Sequence, residues 1–153
     1  MGLGMKKVYL DSCFVIYLIE TVEPFSYLAR SFLSKNITSN FCVSPLVRME
    51  VLVYPMRNHN DMLRQDYEDF LAELEMLPIT DTVFERALQL RVAHGLKTPD
   101  ALHLATAMVH GCQEFWTNDD RLSKVAGSIA VNIFSDSGDV TEGGDQCPKK
   151  LES

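Results

Sequence analysis

The chain has 153 residues, 46% of them hydrophobic and 23% charged, with a formal net charge of −7. Those values fit one soluble domain with a self-sufficient core, and no apolar run approaches the roughly 20 residues of a membrane span. The acidic balance argues against a broad basic nucleic-acid surface, yet Asp136, Asp139, Glu142, Asp145 and Glu152 all fall after Phe134, so the body is only mildly acidic.

The opening "MGLGMKK" has no apolar stretch for a secretory signal, and Met5 serves as well as Met1 for a natural start. Lys7 to Leu10 reads as a short buried strand, stopped by Asp11. "SCFVIYLIE" takes up helical spacing with Phe14, Tyr17 and Leu18 on one side. Pro24 suits a first helical turn, and "PFSYLARSFLSKN" places Phe25, Leu28, Phe32 and Leu33 on one face. "NFCVS" is a second strand, after which Ser44 and Pro45 open a helix to about Met56. Residues 60–75 form a charged amphipathic helix, with "MLPIT" as a third strand behind it. Asp81 starts a helix to about His94, and Thr98, as cap, with Pro99 starts another to His110. "EFWT" is the fourth strand and "IAVNIF" the fifth.

Strands alternating with helices predict an α/β fold, a three-layer α/β/α sandwich around a parallel sheet of about five strands. One domain is expected over residues 5–134. The Gly-, Ser- and charge-rich segment 135–153 reads as a disordered tail, because it holds almost nothing that could join a core. The cysteines, Cys13, Cys42, Cys112 and Cys147, are widely spaced and form no CxxC pair. They fit a reducing cytoplasm and offer no zinc site.

Certain carboxylates occupy unexpected positions. Ligands of open α/β sheets gather at the carboxyl ends of strands, where Asp11 follows the first strand and Asp119 the fourth. Each is also explained as a helix cap. Glu50 is harder to place, because its helical neighbours are Leu46, Val47, Val53 and Tyr54. A carboxylate there costs several kcal/mol unless it is paired or metal-bound. Arg48, two residues away, points elsewhere, so any salt bridge must come from a distant element. Asp100 falls second in its helix, where the dipole favours it, and is held at the same rim. Two carboxylates about 4 Å apart repel by roughly 4 kcal/mol at an effective dielectric near 20. A hard cation such as Mg²⁺ or Mn²⁺ relieves that repulsion. Beside these acids, His103 reads as packing, His110 as a helix-end residue and Cys13 as core filling. Arg48, Lys97 and Arg121 read as surface charges within reach of a phosphate.

"VYLDSCFVIYLIE", "SPLVRMEVL", "TPDALHLATA" and "FWTNDDRL" together resemble the motif regions of PIN domains, in particular the VapC-type toxins of bacterial toxin–antitoxin pairs. The likeness spans about residues 5 to 134 and keeps the motifs in order. It implies strand order 3-2-1-4-5 and a metal-dependent endoribonuclease using Mg²⁺ or Mn²⁺. The family's acidic positions fall on Asp11, Glu50, Asp100 and Asp119, and its neighbouring polar positions on Ser12 and Asn118. The implied partners are an RNA substrate and a cognate antitoxin, with room for a homodimer. The tail has no counterpart in the family pattern. The alternative is a PIN-like module that binds protein or RNA without cutting it. A small-substrate phosphohydrolase would want a second acid that "LDSCF" lacks.

Overall fold

The computed structural model describes residues 5–132. Strands β1 (Lys7–Leu10), β2 (Asn40–Val43), β3 (Glu75–Met76), β4 (Glu114–Trp116) and β5 (Ala130–Val131) form one parallel sheet in the order β3-β2-β1-β4-β5. It is flanked by α1 (Ser12–Ile19), α2 (Phe25–Lys35), α3 (Pro45–Arg57), α4 (Asp61–Ala72), α5 (Asp81–His94), α6 (Thr98–Val109) and α7 (Asp120–Ala126). Among the described residues no helix is long and apolar enough to cross a membrane.

The centre of the sheet follows from the run Val8, Tyr9, Leu10, which is fully buried as a strand covered on both faces must be. β1 pairs with β2 through Tyr9 and Cys42, and with β4 through Tyr9 and Phe115 and through Leu10 and Trp116. α1 is apolar nearly all round, so Ser12 to Tyr17 are all buried. Trp116 anchors the core beside it. Its ring meets Phe32, Phe14 and Phe41 edge-on at centroid distances of 4.6, 5.2 and 5.3 Å. α5 stops at Gly95, whose φ of 66° is the left-handed cap conformation that glycine adopts without strain. Cys13, Cys42 and Cys112 are buried free thiols.

Several boundaries differ from the sequence reading. The charged helix ends at Ala72 rather than residue 75, and the fifth strand is Ala130–Val131. Three further shifts have a local cause. The third strand is Glu75–Met76 rather than "MLPIT": Leu77 N–H reaches Val43 O at 2.8 Å, and Pro78 then has no N–H to continue the ladder. Lys97, not Thr98, caps α6, since the helix opens with Ala101 N–H donating to Lys97 O at 2.9 Å. Asp100 is therefore the third helical residue; Pro99 sits within the first turn, whose N–H groups have no helical acceptor anyway. Pro24 precedes α2 as its cap residue instead of lying in the first turn, with Glu23 accepting from Tyr27 N–H at 3.0 Å. Ile133, Phe134 and the segment 135–153, including Cys147, lie outside the described residues.

Truncating Trp116 to Ala removes the ring on which three phenylalanines converge. The expected loss is about 3–5 kcal/mol of unfolding free energy, read as an earlier urea midpoint at unchanged slope.

Candidate functional site

The strand order reverses at β1, with β2 on one side and β4 on the other, so the crevice beyond their carboxyl ends is where such a sheet takes ligands. Asp11 stands there with no exposed surface. Its Oδ1 accepts from Ser12 N–H at 2.7 Å, and its Oδ2 accepts from the Thr117 hydroxyl at 2.8 Å. The same hydroxyl accepts from Asp119 N–H at 3.1 Å, which ties the start of α7 to the end of β1. Asp119 does cap α7, its Oδ1 accepting from Leu122 N–H at 3.0 Å. Asp120 is exposed and accepts from Asn132 Nδ2 at 2.9 Å.

Glu50 has a partner that the local sequence could not reveal. Arg48 is held by Glu68, at 3.0 and 2.6 Å. The partner is His103 Nε2, at 2.8 Å, brought from α6. This imidazole is fully buried, and the same nitrogen lies 3.9 Å from Asp11 Oδ1. His103 Nδ1 is 2.7 Å from the Tyr9 hydroxyl, which is 2.8 Å from Ser44 Oγ. His103 is thus more than packing, contrary to the sequence reading. Burial pushes the Tyr9 phenol well above its ordinary value; the charges of Asp11 and Glu50 add to this, and the Ser44 bond opposes it.

The fold therefore brings Asp11 and Glu50 to one imidazole and links Asp119 to Asp11 through Thr117. Asp100 is half-buried in the first turn of α6, one turn before His103. Ser12 Oγ is buried without a hydrogen-bond partner among the described residues, a state that in native proteins calls for an explanation. Asn118 is buried and turned inward, its Nδ2 donating to the Tyr17 hydroxyl at 3.2 Å. Arg121 clamps the end of α5, donating to His94 O and Gly95 O at 3.2 and 3.1 Å. Lys97 is exposed at the start of α6. His110 ends α6 and donates to Pro78 O at 2.9 Å, and Cys13 is core.

Sequence reasoning missed Thr117, Tyr9, Ser44 and His103. Of these, only Thr117, a hydroxyl between a strand and two aspartates, carried a local signal. Among the described residues no group of three or more His, Cys, Asp or Glu side chains stands ready to hold a metal ion. The donors nevertheless suit a hard divalent cation: they are carboxylate oxygens, one of them wholly buried, beside the unpartnered Ser12 hydroxyl.

A family model described as PIN domain matches residues 8–128. The chain is 33% identical over 115 residues to Ribonuclease VapC45 of Mycobacterium tuberculosis, covering 70% of this chain and 78% of that protein. A toxin–antitoxin complex from Klebsiella pneumoniae contains a chain 26% identical, with a TM-score of 0.67 over 82% of this chain and 97% of that one. Mycobacterium tuberculosis VapC20, described as a Sarcin-Ricin loop cleaving toxin, shares the fold with a TM-score of 0.68 at 17% identity, over 81% of this chain and 98% of that one.

Thr117→Val removes both the donor to Asp11 and the acceptor for Asp119 N–H. The metal-free protein should lose about 1–3 kcal/mol, while Thr117→Ser, which keeps the hydroxyl, should keep most of the stability. Denaturant melts of the two variants check this; Thr117→Val melting like the parent while Thr117→Ser loses stability would mean that the methyl group matters rather than the bridge.

Proposed function

This chain belongs to the PIN-domain family, and from that membership we propose that it is an endoribonuclease dependent on Mg²⁺ or Mn²⁺, the toxin of a toxin–antitoxin pair. One observation carries the reading. A fully buried carboxylate, Asp11, ends the central strand, and Glu50 converges on the same imidazole. Burying a carboxylate is costly even with donors around it, and a second carboxylate directed at the same point adds a repulsion that a cation would relieve.

In this reading Asp11, Glu50, Asp100 and Asp119 hold the ion. Bound there, it would supply Lewis acidity toward a phosphate and lower the pKa of a water. The chain's own side chains do the rest. Thr117 holds the Asp11 carboxylate in one orientation and sets the turn that presents Asp119. Ser12 offers its buried hydroxyl to a ligand oxygen or a water. Asn118 acts at one remove, pinning the β4–α7 turn to Tyr17. RNA as substrate is supported by the ribonuclease name of the Mycobacterium tuberculosis relative. An antitoxin partner is supported by the Klebsiella complex and by Phe84, Leu88 and Val92, exposed at helical spacing on α5. The buried free thiols support a reducing, cytoplasmic setting. The reading as a non-catalytic binding module draws on the absence, among the described residues, of a ready metal-holding group.

Purified protein should cleave RNA with Mn²⁺ or Mg²⁺ and stop when EDTA is added; cleavage that survives chelation sinks the metal mechanism, and no cleavage of any RNA favours the binding module. Expression without a partner should arrest growth, and co-expression of the antitoxin should restore it.

Asp119→Asn and Asp120→Asn separate the cap from the ligand. Asparagine caps about as well as aspartate, so Asp119→Asn should melt like the parent without metal yet cleave at least about tenfold more slowly, as lost metal affinity implies. Asp120→Asn should stay active. The reverse pattern would assign the ligand to the other aspartate.

A further inference from the structure

Glu50 differs from the other candidate ligands in where it sits. Asp11 and Asp119 cap helices and Asp100 lies in a first turn, whereas Glu50 is in the middle of α3, far from any N–H groups of its own helix end. What holds it comes from elsewhere. Four side chains run in series through the interior: Ser44 Oγ to Tyr9 Oη at 2.8 Å, Tyr9 Oη to His103 Nδ1 at 2.7 Å, and His103 Nε2 to Glu50 Oε1 at 2.8 Å. Ser44, Tyr9 and His103 have no exposed surface.

The chemistry gives the chain a direction. A carboxylate only accepts, so Nε2 carries the hydrogen and donates to Glu50. With the ring neutral, Nδ1 accepts from the Tyr9 hydroxyl, which accepts from Ser44; with the ring doubly protonated both bonds run the other way, and Nε2 donates to Glu50 in either case. Both ring nitrogens are engaged, which leaves His103 no lone pair for a metal.

We propose that His103 is a positioning residue, whose ring, oriented by Ser44 and Tyr9, fixes the Glu50 carboxylate at the rim of the metal site. The inference rests on the reading of Glu50 as a metal ligand. It also accounts for a fully buried imidazole in the otherwise apolar middle of α6. Losing a partner that orients a metal ligand costs about 10–100-fold in metal affinity, so that is the effect expected here.

The test is Mn²⁺ binding by the full chain, followed by electron paramagnetic resonance of the free ion, beside melting temperatures of the metal-free proteins. His103→Leu should bind Mn²⁺ about 10–100-fold more weakly. His103→Gln, which retains a donor, should recover most of the affinity. Tyr9→Phe, which leaves the ring but not its orienting hydroxyl, should fall between them. A purely structural histidine would shift melting temperatures without this ranking. His103→Leu binding like the parent, while Glu50→Gln has lost the ion, overturns the positioning role and leaves the ligand reading intact. If Glu50→Gln binds like the parent, or the parent binds no Mn²⁺, the ligand reading fails and takes this inference with it. Should His103→Leu not fold, Tyr9→Phe and a long-range ¹H–¹⁵N spectrum of the histidine-labelled parent decide. A hydrogen on Nε2 supports the positioning role, and a ring with its hydrogen on Nδ1 alone overturns it.

Discussion

The rim of this sheet is organised around a charge with nowhere to go: the Asp11 carboxylate, which has no exposed surface. Burying such a group is tolerated only when donors surround it. Here Asp11 caps α1, so the helix's N-terminal N–H groups and dipole face the carboxylate. Ser12 N–H serves one oxygen and the Thr117 hydroxyl serves the other. That hydroxyl arrives because β4 lies directly beside β1, with Leu10 opposite Trp116 and Asp11 N–H donating to Trp116 O at 3.0 Å. A slip of one residue in this register would turn Thr117 to the opposite face. The strand order and the site are thus one constraint, because Thr117 meets Asp11 only while β4 lies beside β1 in this register.

The elements were legible in the sequence where period and punctuation agreed. The uninterrupted apolar run of β1, the 3.6-residue spacing of α2 and the span of α5 from Asp81 to His94 each rest on a local pattern, and each element appears there. Boundaries moved where two local signals competed, as at Lys97 and Thr98, where either residue could precede a proline-led turn. The acids were legible as anomalies, because a carboxylate in a strand end or an apolar helix face invites a reason. Their partners were not. His103 meets Glu50 across 53 positions of chain, and Tyr9 meets His103 across 94. Nothing in the immediate neighbourhood of any of these residues distinguishes a hydrogen-bonded imidazole from a packed one.

Capping and metal binding, which compete as explanations of Asp119, are compatible in one carboxylate. Two oxygens offer about four acceptor sites, and the cap bond from Leu122 N–H uses one of them. A helix N-terminus also lets an acid stand near other acids without a cation, contributing about 0.3–1 kcal/mol against their repulsion. Asp11, Asp100 and Asp119 all have this support. Glu50, in the middle of α3, does not, and it is the acid that needs a side-chain donor from another helix. Its orientation therefore depends on how α3 packs against α6, whereas the placement of Asp11 and Asp119 depends on the register of β1 and β4. The imidazole of His103, 2.8 Å from one carboxylate and 3.9 Å from the other, is where the two dependencies meet.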